Sequence, residues 1–158
     1  RAERPLSVPQ PESKRRLSKT DYQNRIWITR PRPGIDRVSS AWLIARFIDD
    51  KATFAFGADA SCQPDAVAFD MYQPGGFGHE GEMCTFETLC SRFGVKGKRV
   101  QLIAQAIHDA DLGDAKYGRT DGTTINQILK GWAKLGTADE ELLRRGMELI
   151  EGLYQSIQ

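Results

Sequence analysis

The segment TADEELLRRGMELIEGLYQSI (137–157) constrains the fold most. Its apolar residues Leu143, Met147, Ile150, Tyr154 and Ile157 recur in steps of four and three, which describes one face of an α-helix. Thr137 stands where an N-cap is wanted, and Glu140 three residues on completes a capping box. An apolar face of this kind has to be covered. The cover is either the rest of the chain or a second copy, so this helix is also a candidate homodimer interface.

Two further segments have helical spacing. KRVQLIAQAIHDADLGD (98–114) turns Val100, Ile103, Ile107 and Ala110 inward, with Gly113 just past its end. TTINQILKGWAKLG (123–136) turns in Ile125, Ile128, Leu129 and Trp132. The first half of the chain reads differently. RIWITR (25–30) alternates as a strand, with Ile26 and Ile28 on one side and Trp27 and Thr29 on the other. PRPG (31–34) breaks it, and IDRVSSAWLIARFIDD (35–50) then carries a helical face of Val38, Ala41, Trp42, Ala45 and Ile48. ATFAFGA (52–58) and AVAFDM (66–71) are short apolar runs that read as strands. MCTFE (83–87) is either a short strand or the start of a helix capped by Thr85, without a capping box. The order predicts an α+β fold, a small β-sheet in the first half packed with a helical second half.

At 158 residues, with 40% hydrophobic and 27% charged, the chain has material for one core. No run of about 18 apolar residues exists, so no membrane span is expected. Residues 1–32 carry nine Arg or Lys against three acids, net +6, so the remainder sums to −5. That acidic body is not a nucleic-acid surface. Residues 1–24, charged and proline-bearing, are expected to be a flexible basic tail or linker that folding does not need, and 25–158 a single domain. Three cysteines without a CxxC pair argue against a disulfide framework and for a reducing, cytoplasmic setting.

The chemistry concentrates around two histidines. His79 lies in GFGHEGEMCTFE (76–87), a glycine-rich loop that lets the backbone bend toward a ligand. His108 lies on the helix 98–112, with Asp111 three residues on along the same stripe. His79, His108, Glu87 and Asp111 form a candidate set of metal ligands. Asp36, Asp70 and Glu80 are supporting or alternative ones. Imidazole with carboxylate suits Fe, Mn, Ni or Zn, and spacing alone does not choose among them. Arg30 and Arg37 flank a predicted helix N-terminus, an arrangement that suits a small oxyanion such as chromate or sulfate. Asp36 opposes this reading by offering to pair with the arginines itself. On balance Arg30 is expected toward the pocket and Arg37 as a brace. Cys84 reads as a buried, inert thiol.

The ordered set WITRPRPGIDRVSSAWLIARFID, FD, GHEGEMCTFE and IHDADLGD, followed by GWAKLGTADEELLRRGMELIEGLY, resembles the ChrB-type chromate resistance domain. The resemblance covers about residues 25–156. It implies a bacterial protein tied to chromate resistance, of a kind often encoded beside a chromate efflux transporter. In longer members the domain follows an N-terminal region and the protein acts as a chromate-responsive regulator. Any DNA-binding role belongs to that region and is not carried to these residues. The family pattern falls on Arg30, Asp36, Arg37, Asp70, His79, Glu87, His108 and Asp111. It assigns no role to Asp114, Lys116 or Tyr117.

Overall fold

The computed structural model describes residues 16–158. Strand β1 (Ile26–Thr29) is the middle of a three-stranded parallel sheet, between β2 (Thr53–Phe56) and β3 (Val67–Ala68). Ile26 pairs with Thr53, and Trp27 with both Phe54 and Val67. A central parallel strand is covered on both faces. Trp27, Ile28 and Thr29 are accordingly all buried, so both sides of the alternating strand meet covered surface. Trp27 enters the main core, and Ile28 packs on the opposite face with Ala66, Ala68 and Met71.

Helix α1 (Ile35–Leu43) runs from the PRPG break through the middle of the molecule and ends in a π-helical turn, Ile44–Ile48. Around it stand α2 (Thr85–Phe93), α3 (Lys98–Leu112), α4 (Asp121–Lys134) and α5 (Asp139–Ser156). The architecture is the expected one, a small open sheet beside a helical second half. Of the α5 face considered for a dimer, Leu143, Ile150 and Tyr154 are buried in the core of the same chain, and Met147 and Ile157 are half-buried against it. Among the described residues, no helix is long and apolar enough to cross a membrane.

Two helix starts differ from expectation. In α2 the N-cap is Cys84, and Glu87 at the third position accepts a hydrogen bond from the Cys84 N–H at 3.0 Å. A capping box is therefore present one residue earlier than Thr85 would put it. In α5 the N-cap is Ala138 and no side chain caps it. The Asp139 carboxylate instead accepts the Arg32 N–H at 2.8 Å, which ties α5 to the PRPG break.

Residues 1–15 lie outside the described residues, so the predicted tail is described only over 16–24. There the Leu17 N–H donates to the Arg92 carbonyl at 2.7 Å, and a short 3-10 turn covers Lys19–Tyr22. Tyr22 packs at a tilt on Trp27 and edge-on against Phe77 and Phe93, and the Gln23 amide reaches the Ile48 carbonyl at 2.6 Å. This stretch lies on the body.

Candidate metal centre

Each group at the centre is brought there by a different element. Asp36 comes from the first turn of α1, Asp111 from the last turn of α3, and Asp70 from just after β3. His79 comes from the glycine loop, which is held at both ends. Phe77 donates to the Ala68 carbonyl at 2.9 Å and accepts from Asp70 at 2.8 Å, and Glu80 pairs with Met83. The backbone of Asp70 has φ +51°, a left-handed conformation that Asp tolerates better than most residues.

Three carboxylates converge on one ring nitrogen. His79 Nε2 lies 3.2 Å from Asp111 Oδ2, 3.3 Å from Asp36 Oδ2 and 3.9 Å from Asp70 Oδ1. One ligand atom each from Asp36, His79 and Asp111 falls within 4.8 Å of the others, close enough for a single cation to bridge them. Asp36 is buried and firmly held: the Thr85 and Phe86 N–H groups, at the start of α2, donate to its two oxygens at 2.9 Å each. Thr85 Oγ1 donates to Asp70 at 2.9 Å, and Arg37 Nε lies 3.1 Å from the other oxygen of Asp70.

The electrostatics follow from this crowding. The hydrogen bond that its ring N–H donates to Asp36 raises the His79 pKa to about 9, against partial burial and with help from the charges of Asp36, Asp111 and Asp70. Burial, reinforced by the charge of Asp36, lifts Asp70 to about 6 although Arg37 pulls the other way. Burial and Asp36 likewise raise Asp111. Burial first, and then repulsion from the Asp36 charge, hold the Asp70 and Asp111 carboxyls above their ordinary range, and a bound cation would relieve that repulsion. Asp36, Arg37, Asp70 and Asp111 also line a cavity of about 320 Å³ whose far side holds Asn126 and Lys130. His79 borders a second cavity of about 380 Å³ formed by its own loop.

The single ligand set expected from the sequence is divided. His108 is buried and belongs to a different cluster. Its Nδ1 meets Glu87 Oε1 at 2.6 Å and its Nε2 meets Asp114 Oδ2 at 2.9 Å. Burial opposes a charge on this ring, but the two carboxylates outweigh it and the pKa is raised. His108 and Asp111 thus share α3 but face different partners. Three residues along a helix are close to one turn, yet the remaining angle is enough to send each side chain to its own neighbour. Glu80 pairs with Arg92 at 3.1 Å and does not join the His79 group. Arg30 is exposed just past β1 and is not among the residues lining this cavity, whereas Arg37 lines it and there pairs with Asp70 rather than with Asp36. The three cysteines are free, and burial raises the thiol pKa of Cys84 and moves that of Cys90 up to about 12, so neither offers a thiolate at neutral pH.

The sequence reading passed over Asp109 and Asp114. The carboxylate of Asp109 accepts the Tyr117 and Arg119 N–H groups and so shapes the loop after α3. Asp114 reaches back to His108 because Gly113, at φ +66°, reverses the chain at the helix end. The position of Gly113 was visible in the sequence, and the return of the next residue along the same helix follows from it.

Comparison with known proteins places this geometry in a family. No protein of solved structure matches. Protein ChrB of Cupriavidus metallidurans (strain CH34) is 36% identical over 141 residues, which are 88% of this chain and 43% of that protein. The chain therefore spans less than half the length of that relative. The family model for the C-terminal domain of ChrB matches residues 27–157, a stretch that contains every residue of both histidine clusters, and the chain belongs to this ChrB-type chromate-resistance C-terminal domain family.

Proposed function

We propose that this domain binds one divalent metal ion through Asp36, His79 and Asp111, with Asp70 within reach, and that the metal-bound domain acts in the bacterial response to chromate. The observation that carries the reading is the convergence of three carboxylates on His79 Nε2 within 3.2–3.9 Å. The donors are oxygen and nitrogen, with no thiolate among them, which suits Mn, Fe, Ni or Zn over softer ions. Neighbouring groups orient the carboxylates: the start of α2 and Ser40 hold Asp36, and Thr85 and Arg37 hold Asp70. An ion there would have an open side toward the 320 Å³ cavity, and an open position is what distinguishes a site that meets ligands from a purely structural one. The chromate context comes from the family alone.

A metal-free oxyanion site at Arg30 and Arg37 has less support. The guanidinium of Arg37 already faces Asp70, and Asp36 and Asp111 border the same cavity. Those carboxylates would repel a dianion unless a cation stood between.

Elemental analysis of the purified protein, before and after chelation, tests the reading. About one metal per chain is expected. His79→Ala and Asp111→Asn should each lose it while remaining folded, since even changes around a ligand weaken a site by about 10–100-fold. Stoichiometric metal in both variants would overturn the assignment.

A further inference from the structure

Helix α3 meets the metal centre by two routes. Asp111 touches His79 directly at 3.2 Å. One turn earlier, His108, only 1% exposed, holds Glu87 through Nδ1 and Asp114 through Nε2. Glu87 closes the first turn of α2, because the oxygen that meets His108 also accepts the Cys84 N–H. The next two N–H groups of that turn, those of Thr85 and Phe86, hold Asp36, and the Thr85 hydroxyl holds Asp70. A path of hydrogen bonds, joined by the backbone of Cys84–Phe86, therefore runs from Asp114 through His108 and Glu87 to two acids of the cluster.

We propose that His108 is a positioning residue of the metal centre: it clamps Glu87, fixes the first turn of α2 against α3, and so sets the spacing between Asp36 and Asp111. The proposal rests on the metal reading above. The two ligands stand on different helices, α1 and α3, and the turn that holds Asp36 belongs to a third. Metal ligands have to be placed to within about 0.2 Å of their preferred distances. Apolar packing is non-directional, whereas a buried, charge-assisted hydrogen bond is among the stronger polar contacts in proteins and fixes a distance and an angle. His108, with Asp109 and Asp114, also offers ligand atoms within 4.8 Å of one another, so the test has to tell a ligand from a clamp. In the structure both of its ring nitrogens are engaged by the Glu87 and Asp114 carboxylates.

The two amide replacements of histidine separate these roles. Asparagine at 108 puts an amide N–H near the place of Nδ1, which keeps the bond to Glu87 and gives up Asp114. Glutamine puts its amide near the place of Nε2, which keeps Asp114 and gives up Glu87. Co²⁺ affinity is measured on folded wild type, His108→Asn and His108→Gln, and pulsed EPR of bound Cu²⁺ counts the coordinated imidazoles. We expect one imidazole in all three proteins, a Co²⁺ affinity near wild type for His108→Asn, and a loss of about 10–100-fold for His108→Gln. Equal affinities in the two variants would overturn the clamp. So would a second imidazole in wild type that vanishes in His108→Gln, because His108 would then be a ligand. Should a His108 variant fail to fold, Glu87→Gln carries the same test. It keeps an acceptor for Cys84 but loses the charge that holds His108, and unchanged Co²⁺ binding there would also overturn the proposal. Wild type that binds no Co²⁺ would remove the metal reading as well, whereas wild type and His108→Gln that bind it equally would remove the clamp alone.

Discussion

His79 is half exposed, and its pKa is nevertheless raised from 6.5 to about 9. Its Nε2 carries a proton at neutral pH, and a metal ion has to displace that proton. Apparent metal affinity should therefore rise by about tenfold per pH unit from roughly pH 7 and level off near pH 9. Calorimetric titrations in two buffers of different ionisation enthalpy would also detect the released proton. A pH-independent affinity over this range would separate His79 from the metal. The sign reverses for the metal-free protein. A pKa raised on folding contributes stability that is complete below about pH 6.5 and is lost as pH rises through the folded value of about 9. Asp70 acts in a lower window. With its pKa lifted from 3.8 to about 6, it stays protonated longer in the folded state than in the unfolded one, so stability falls as pH rises between those values. The melting temperature of the chelated protein should decline between pH 7 and pH 10, and excess divalent metal should flatten that decline.

At the scale of elements, the spacing of α3 and α4 depends on Gly122. A Cβ built there would lie 2.3 Å from the Ala106 carbonyl oxygen, a backbone atom that cannot turn aside. Gly122→Ala should therefore destabilise by about 1–3 kcal/mol, more than alanine's better helix propensity returns. Because α3 carries both Asp111 and His108, the same substitution should also weaken metal binding. Gly152, on the exposed side of α5, meets nothing within 4 Å and serves as the control. Gly152→Ala should raise stability by roughly 0.5–1 kcal/mol and leave metal binding unchanged. Thermal melts of the two variants distinguish a helix contact from general intolerance to alanine. The capping box of α2 belongs at this scale as well. It was missed in the sequence because Cys84 is an unusual cap, although the decisive residue, Glu87, stood at the right distance from it.

For the whole molecule, the described part of the N-terminal arm is a packing element. Tyr22 closes an aromatic group with Trp27, Phe77 and Phe93, and Leu17 hydrogen-bonds the end of α2. A chain beginning at Arg25 should melt well below one beginning at Arg16. Tyr22→Ala should account for much of that difference, on the order of 2 kcal/mol for a large aromatic side chain that is partly buried. Equal melting temperatures would restore the dispensable arm expected from composition. The charge of this stretch hid its role, since one tyrosine and one leucine among basic residues show no periodicity.

Local patterning determined most of the elements. Ile, Val, Leu and Trp at helical spacing marked α1, α3, α4 and α5, alternation marked β1, and short apolar runs marked β2 and β3, because burial is a requirement each segment carries in its own sequence. The same local view singled out Asp36, Asp70, His79, His108 and Asp111 by chemical type. It did not sort them into groups. His108 and Asp111, neighbours on one helix, went to different partners, while Asp36 and Asp111, 75 positions apart, meet at His79. Which carboxylate faces which histidine depends on the rotation and spacing of α1, α2 and α3 around their shared core. Those quantities are settled by long-range packing, which no single segment encodes.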